Sequence, residues 1–124
     1  MAIYDNLPVF KDTYDLLLQI IRMSMNLQRD FRYTIGERLK IEIMDLCIYI
    51  YKANGSYEKQ EFIKQARERM VVVKLQVRVL HDVKQISVKQ FAMLADKMES
   101  ISKQLASWEK YLKKMKNENN DSIK

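Results

Sequence analysis

Chain breakers are almost absent from this sequence, which holds two glycines and one proline among its 124 residues. A β sandwich or barrel needs a turn, and with it a breaker residue, every ~8–12 residues. Apolar residues instead recur at intervals of three and four, the spacing of amphipathic helices. The sequence therefore predicts an all-α fold, and its length is sufficient for one domain with its own core.

Turn signals divide the chain into four predicted helices, which span approximately residues 7–28, 35–53, 57–85 and 87–116. Leu7-Pro8 opens the first, because proline suits a first turn whose N–H groups lack partners. Asn54-Gly55 predicts a left-handed stop after the second. Four helices with short connections predict an up-down-up-down antiparallel four-helix bundle over residues 1–116. The polar run 117–124 predicts a disordered tail.

Two capping boxes mark predicted helix starts. The capping-box spacing occurs at Thr34 with Glu37 and at Ser87 with Gln90. In a capping box the hydroxyl and the side-chain oxygen three residues later accept hydrogen bonds from two backbone N–H groups that have no partner within the helix. Thr34 lies in the stretch from Asp30 to Lys40, which we interpret as the turn between the first two helices.

The first three predicted helices carry more apolar surface than a single bundle face requires. A surface helix usually has one apolar stripe, yet each of these helices has a second row. The second rows are Leu16, Ile20, Met23 and Leu27 on the first helix, Ile41, Met44, Ile48 and Tyr51 on the second, and Val72, Val79 and Val83 on the third. Eight methionines add adaptable surface. Exposed apolar patches of this kind usually mark an interface. The pattern predicts a homo-oligomer that forms a ring or barrel; scattered exposed apolar residues are the alternative.

The net charge of +6 lies entirely in the second half of the chain. Residues 1–55 balance seven Lys/Arg against seven Asp/Glu, whereas residues 56–124 carry fifteen against nine. A pI of about 9.4 is compatible with nucleic acid, an anionic membrane surface or an acidic protein as partner.

No catalytic or metal-binding constellation is present in the sequence. His81 is the only histidine and Cys47 the only cysteine, and phosphate-binding loops need more glycines than the chain holds. We therefore predict a non-enzyme without cofactor or metal. Cys47 is expected to be a buried apolar side chain in a reducing compartment. The apolar runs are too short to cross a membrane, and no secretory signal is expected.

A cationic stripe on the third predicted helix is the strongest binding signal. Lys64, Arg67, Lys74, Arg78 and His81 fall within about 100° of one another on a helix. Such a row is suited to tracking a nucleic-acid backbone. The alternatives are a solvated face and pairing with acids on a neighbouring helix.

Three residues near the first turn allow two interpretations each. Phe31 and Tyr33 are suited to stacking on bases, but packing over the bundle end is favoured. Gly36 would let either a phosphate or another helix approach closely, and we favour the helix.

The stretch Phe31-Arg32-Tyr33-Thr34-Ile35-Gly36-Glu37-Arg38-Leu39-Lys40 resembles the signature of the Avd-like accessory variability determinant proteins of diversity-generating retroelements. That four-helix-bundle family also includes proteins encoded in intervening sequences of ribosomal RNA genes. Supporting stretches are 7–11 with 14–17, 66–68, and 100–105 with Trp108, so the resemblance follows nearly the whole chain in order.

The resemblance implies a basic, barrel-shaped homopentamer that binds RNA and DNA and associates with a reverse transcriptase during mutagenic cDNA synthesis. It also implies a bacterial or phage-encoded, cytoplasmic protein. The signature transfers to Thr34, Gly36, Glu37 and Arg38, which we interpret as architectural. Two alternative functions remain open: a protein-interaction bundle that docks an acidic partner, and a ribosomal-RNA intervening-sequence protein.

Overall fold

Four long helices and one short helix make up the computed structural model, which describes residues 7–123, with side chains through Asn119. Their bounds are α1 (Pro8–Ser24), α2 (Arg29–Arg32), α3 (Ile35–Gly55), α4 (Lys59–Asp82) and α5 (Val88–Ile123). α1 packs on α3, α3 on α4, α4 on α5 and α5 on α1, so the four long helices enclose one core. Within residues 7–123 there is no strand. The predicted all-α four-helix bundle is confirmed.

The core forms where the main apolar rows of the long helices meet. On α4 the predicted row is buried at Ala66, Met70, Val73, Val77 and Leu80, with Phe62 packed partly exposed beside it. Fully buried partners from the other helices include Leu16, Ile20, Leu39, Ile43, Leu46, Ile50, Ile101 and Leu105. Each buried Leu or Ile side chain stabilises the fold by about 1.5–3 kcal/mol, so these rows determine which face of each helix points inward.

The predicted capping box at Thr34 is wrong, because the preceding residues form the helical turn α2. The Thr34 hydroxyl donates backward to the Asp30 carbonyl, and no side chain caps the start of α3. Glu37 instead pairs with Lys40, Nζ to Oε1 2.7 Å. The end of α2 supplies an unsatisfied carbonyl four residues before Thr34, and a threonine hydroxyl satisfies such an i−4 acceptor readily.

The end of α3 also differs from the expected left-handed stop. Gly55 remains in the helix without a positive φ, and Ser56 is extended. The Lys59 ammonium donates to the carbonyls of Ala53 (2.9 Å) and Asn54 (3.0 Å). These last carbonyls therefore obtain a charged donor, which replaces the backbone bonds of a left-handed cap.

The turn between α4 and α5 contains the left-handed residue of the described chain, and it is not a glycine. Lys84 has φ 64°. The Gln85 N–H donates to the Leu80 carbonyl (2.8 Å) and the Lys84 N–H to the His81 carbonyl (3.0 Å), which is the Schellman arrangement. Beyond it, the capping box predicted at Ser87 and Gln90 is confirmed, with reciprocal bonds of 3.0 and 3.1 Å.

Lys84→Gly should raise the free energy of unfolding by about 0.5–1 kcal/mol, because glycine adopts the left-handed conformation without a Cβ clash. Lys84→Ala is the matched control, since it removes the charge but keeps the Cβ. Urea unfolding followed by circular dichroism measures both variants. An equal gain in both would assign the effect to charge and contradict the conformational account.

α5 continues past the point where a disordered tail was predicted. Its backbone is helical through Ile123, and Lys124 lies outside the described residues. The segment holds no glycine or proline, and each residue added to an existing helix costs little compared with starting one. Asn117, Glu118 and Asn119 are exposed, as their polarity predicts. The boundary of the domain at residue 116 stays a prediction.

Candidate nucleic-acid interface

The cationic stripe of α4 lies along the groove with α5, where two of its members meet acids. Arg67 Nη1 lies 2.7 Å from Glu109 Oε1, and Lys74 Nζ lies 3.6 Å from Glu99 Oε2. α4 and α5 run antiparallel, so the later cation on α4 meets the earlier acid on α5. The arrangement places Glu109 and Glu99 of α5 opposite Arg67 and Lys74 of α4.

The remaining members of the stripe have different surroundings. Arg78 lies 3.7 Å from Asp82 one turn later in α4. The His81 ring stacks on Phe91 with centroids 4.4 Å apart, and its Nδ1 lies 3.4 Å from Asp82 Oδ1. Lys64 is exposed and pairs with no acid of the described chain. The fold thus aligns the five residues, but a carboxylate lies beside four of them. Their contact with nucleic acid stays a prediction.

A second group of cations, which sequence reasoning missed, lies on the outer face of α5. Lys103, Lys110 and Lys114, here called the α5 lysine face, are exposed and form no ion pair or side-chain hydrogen bond with the described residues. Their spacing of seven and four places them within about 40° on the helix. That spacing was readable from the sequence. The sequence did not reveal that four of the five residues of the α4 stripe would lie beside carboxylates, whereas these three lysines do not.

Aromatic side chains border the α5 lysine face. Tyr111 lies between Lys110 and Lys114 in the chain and is 59% exposed. On its other side an open groove separates α5 from the start of α4, and it is lined by Tyr57, Trp108, Leu112, Met115 and Lys116. Glu58 and Glu61 also line this groove. The α5 lysine face is therefore cationic, whereas the groove beside it carries both signs of charge.

The signature region is packed at some positions and exposed at others. Phe31 packs against the core, and a Cβ on Gly36 would lie 3.0 Å from the Phe31 carbonyl oxygen. This close approach agrees with the packing interpretation of Gly36. Tyr33 is exposed, with the Arg32 guanidinium 6.0 Å from its ring centroid. Arg38 is exposed on the first turns of α3.

Two separate apolar faces are exposed on the outside of the bundle. α3 presents Ile41, Met44, Ile48 and Tyr51, and α4 presents Val71, Leu75, Val79 and Val83. The α4 residues lie opposite the buried row of the same helix. The second row of the second predicted helix is therefore accessible in the single chain, as are Val79 and Val83 of the third. The second row of the first helix (Leu16, Ile20, Met23, Leu27) is instead buried in the core, so that part of the prediction is wrong.

Cys47 is buried, as expected, and burial raises the pKa of its thiol to about 12. Among the described residues no three His, Cys, Asp or Glu side chains are grouped so as to hold a metal ion. In the same part of the chain no helix combines the length and apolarity needed to cross a membrane.

The Cys47 thiol should make stability fall at alkaline pH. With an ordinary pKa of 9.0, an unfolded thiol is half-ionised at pH 9.0, whereas burial raises the pKa of the native thiol to about 12. The thiol's contribution is thus complete below pH 9 and is lost as the pH rises from 9 to 12. Between pH 8 and 10 the free energy of unfolding of wild type should fall by about 1 kcal/mol more than that of Cys47→Ala. Urea unfolding at both pH values measures the difference. An identical loss in the two proteins would contradict this.

Comparison with solved structures finds chains of similar fold. A protein of unknown function from the S23 ribosomal protein family of Bacteroides thetaiotaomicron VPI-5482 has a similar structure, with a TM-score of 0.77 at 14% sequence identity. The similarity covers 87% of this chain and 99% of that chain. No family model matches the chain, and no curated protein matches it. At this identity the likeness shows the fold alone: the chain has the helical-bundle fold of that S23-family protein.

Proposed function

We propose that this chain is a non-catalytic, self-associating nucleic-acid-binding bundle that serves as accessory protein to a reverse transcriptase in a diversity-generating retroelement. The observation that carries the proposal is the one-sided charge. The excess of six cations belongs to residues 56–124, and their two helices, α4 and α5, lie side by side in the bundle. A polyanion bound there would release the counterions that condense on it. The signature at residues 31–40 supplies the link to reverse transcription.

Self-association is supported by the two apolar faces. They differ in composition and lie on different helices, α3 and α4. When the α3 face of one copy contacts the α4 face of the next, the copies are joined head-to-tail. Such contacts produce a closed ring when the rotations from copy to copy add up to a full turn. The pentamer is the ring size that the resemblance implies. Light scattering at micromolar concentration should give a mass several times the monomer's 14.9 kDa, and Ile48→Lys with Leu75→Lys should reduce it. A wild-type mass near 14.9 kDa would contradict self-association.

Filter binding tests the nucleic-acid function directly. RNA and DNA should both bind at low salt and dissociate as salt rises, because phosphate contacts release counterions. Absence of binding at low salt, together with binding to an acidic protein, would favour the protein-interaction alternative.

Co-expression tests the reverse-transcriptase association. A reverse transcriptase encoded beside this gene, which the proposal expects, should co-purify with the tagged chain after nuclease treatment. Loss of the polymerase on nuclease treatment would show that nucleic acid alone joins the two proteins. An adjacent reverse-transcriptase gene with a repeat pair supports the retroelement function. A location inside a ribosomal RNA gene would instead support the intervening-sequence alternative.

A further inference from the structure

The two cationic groups on this side of the bundle differ in how much charge they offer a ligand. Arg67 and Lys74 already contact carboxylates of α5, at 2.7 and 3.6 Å. A phosphate that approaches Arg67 or Lys74 must compete with the carboxylate already beside it. The α5 lysine face carries no such partner in the described chain. Three phosphates bound to these lysines would release their counterions without competition from a carboxylate of the described chain, and this release favours binding.

The dimensions of the α5 lysine face suit a short stretch of backbone. Lys103 and Lys114 are eleven residues apart, which on a helix is about 16 Å. Between them the exposed surface holds no acid, because Glu109 turns toward Arg67 and is only 17% exposed. The long, flexible lysine side chains let each ammonium follow a phosphate without a fixed geometry.

Tyr111 indicates which form of nucleic acid fits. Its ring is 59% exposed and stacks on no other described aromatic ring. An exposed ring beside lysines stacks well on an unpaired base, whereas the bases of a duplex already stack on each other. The neighbouring groove is less suitable for a polyanion, since Glu58 and Glu61 line it. A strand would therefore remain on the α5 side of Tyr111.

We propose that single-stranded nucleic acid binds along the α5 lysine face, with phosphates against Lys103, Lys110 and Lys114 and one base stacked on Tyr111. This placement rests on the proposed nucleic-acid-binding function. It differs from the α4 stripe predicted from the sequence, which then contributes mainly to α4–α5 packing.

Two triple variants with equal loss of charge separate the faces: K103Q/K110Q/K114Q and R67Q/K74Q/R78Q. Fluorescence anisotropy of a labelled single-stranded 20-mer, from low to moderate salt, measures the affinity of each. The α5 triple should bind at least tenfold more weakly at low salt, with a slope of log affinity against log salt about two units shallower, since each single-strand phosphate contact contributes about 0.7. The α4 triple should retain most of the wild-type affinity at low salt and most of the wild-type slope. Circular dichroism confirms that each variant folds.

Tyr111→Leu tests the base contact, with Tyr57→Leu as its matched control. Loss of one stacked base should weaken single-strand binding about tenfold, leave duplex binding unchanged, and leave the control near wild type. An equal loss of affinity for single strands and for duplex would overturn the stacking assignment.

If wild type binds nucleic acid and the α4 triple loses more affinity than the α5 triple, the placement on the α5 lysine face is wrong and the proposed function stands. If wild type binds no nucleic acid, the proposed function itself fails.

Discussion

Replacing Arg69 by methionine should lower the free energy of unfolding by about 3 kcal/mol. Arg69 Nη1 donates to Glu42 Oε2 at 2.9 Å across the α3–α4 contact, and Glu42 is 7% exposed. Methionine keeps most of the aliphatic stem, so packing changes little. What it removes is the partner of a buried carboxylate, which then lies uncompensated in the protein interior. Urea unfolding at pH 7 measures the loss.

The double variant Glu42→Leu with Arg69→Met provides the control. Removing both charges together should restore stability to within about 1 kcal/mol of wild type, because replacing a buried ion pair by apolar residues is often nearly neutral. If the double variant is as unstable as Arg69→Met alone, the arginine contributes through packing. If Arg69→Met unfolds like wild type, the carboxylate obtains another partner and the account of the α3–α4 contact is wrong.

Gly36→Ala should destabilise the protein by about 1–2 kcal/mol, because the added methyl group overpacks the junction of α2 and α3. An ideal Cβ would lie 3.0 Å from the Phe31 carbonyl oxygen and 3.1 Å from Leu27 Cδ1. The first neighbour is backbone and the second belongs to a side chain that is 1% exposed, so neither moves easily. The higher helix propensity of alanine, about 1 kcal/mol, offsets part of this cost.

Gly55→Ala is the matched control for Gly36→Ala. Gly55 also lies in α3, has no positive φ, and has no atom within 4 Å of an added Cβ. Alanine there should raise the free energy of unfolding by up to about 1 kcal/mol, by restricting the unfolded chain and favouring the helix. The two substitutions should therefore have opposite signs in urea unfolding. A gain in stability for both would contradict the steric explanation of Gly36.

The sequence predicted the long helices well because their apolar periodicity and few breakers are local signals. The α4 row from Ala66 to Leu80 and the capping box at Ser87 are confirmed. Prediction failed at Thr34, where the short helix α2 supplied an acceptor that no local pattern revealed. It also failed at Gly55, where the cap is a lysine four residues further along.

The candidate interface was less predictable than the fold because it depends on which helices become neighbours. A helical wheel places Arg67 and Lys74 on one face, but only the antiparallel contact of α4 with α5 brings Glu109 and Glu99 against them. The same contact leaves Lys103 and Lys110 exposed, with no ion-pair partner among the described residues. Charge in a sequence therefore identifies the cationic half of the chain, while the tertiary structure determines which cations lie away from carboxylates.

The salt dependence of wild-type binding to a single-stranded oligonucleotide tests the central claim most directly. The account predicts measurable affinity at about 50 mM salt and a linear fall of log affinity with log salt, with a slope near −2 or steeper for three or more phosphate contacts. The affinity should fall at least tenfold by about 200 mM salt. No binding at the lower concentration, or binding that does not change with salt, would contradict it.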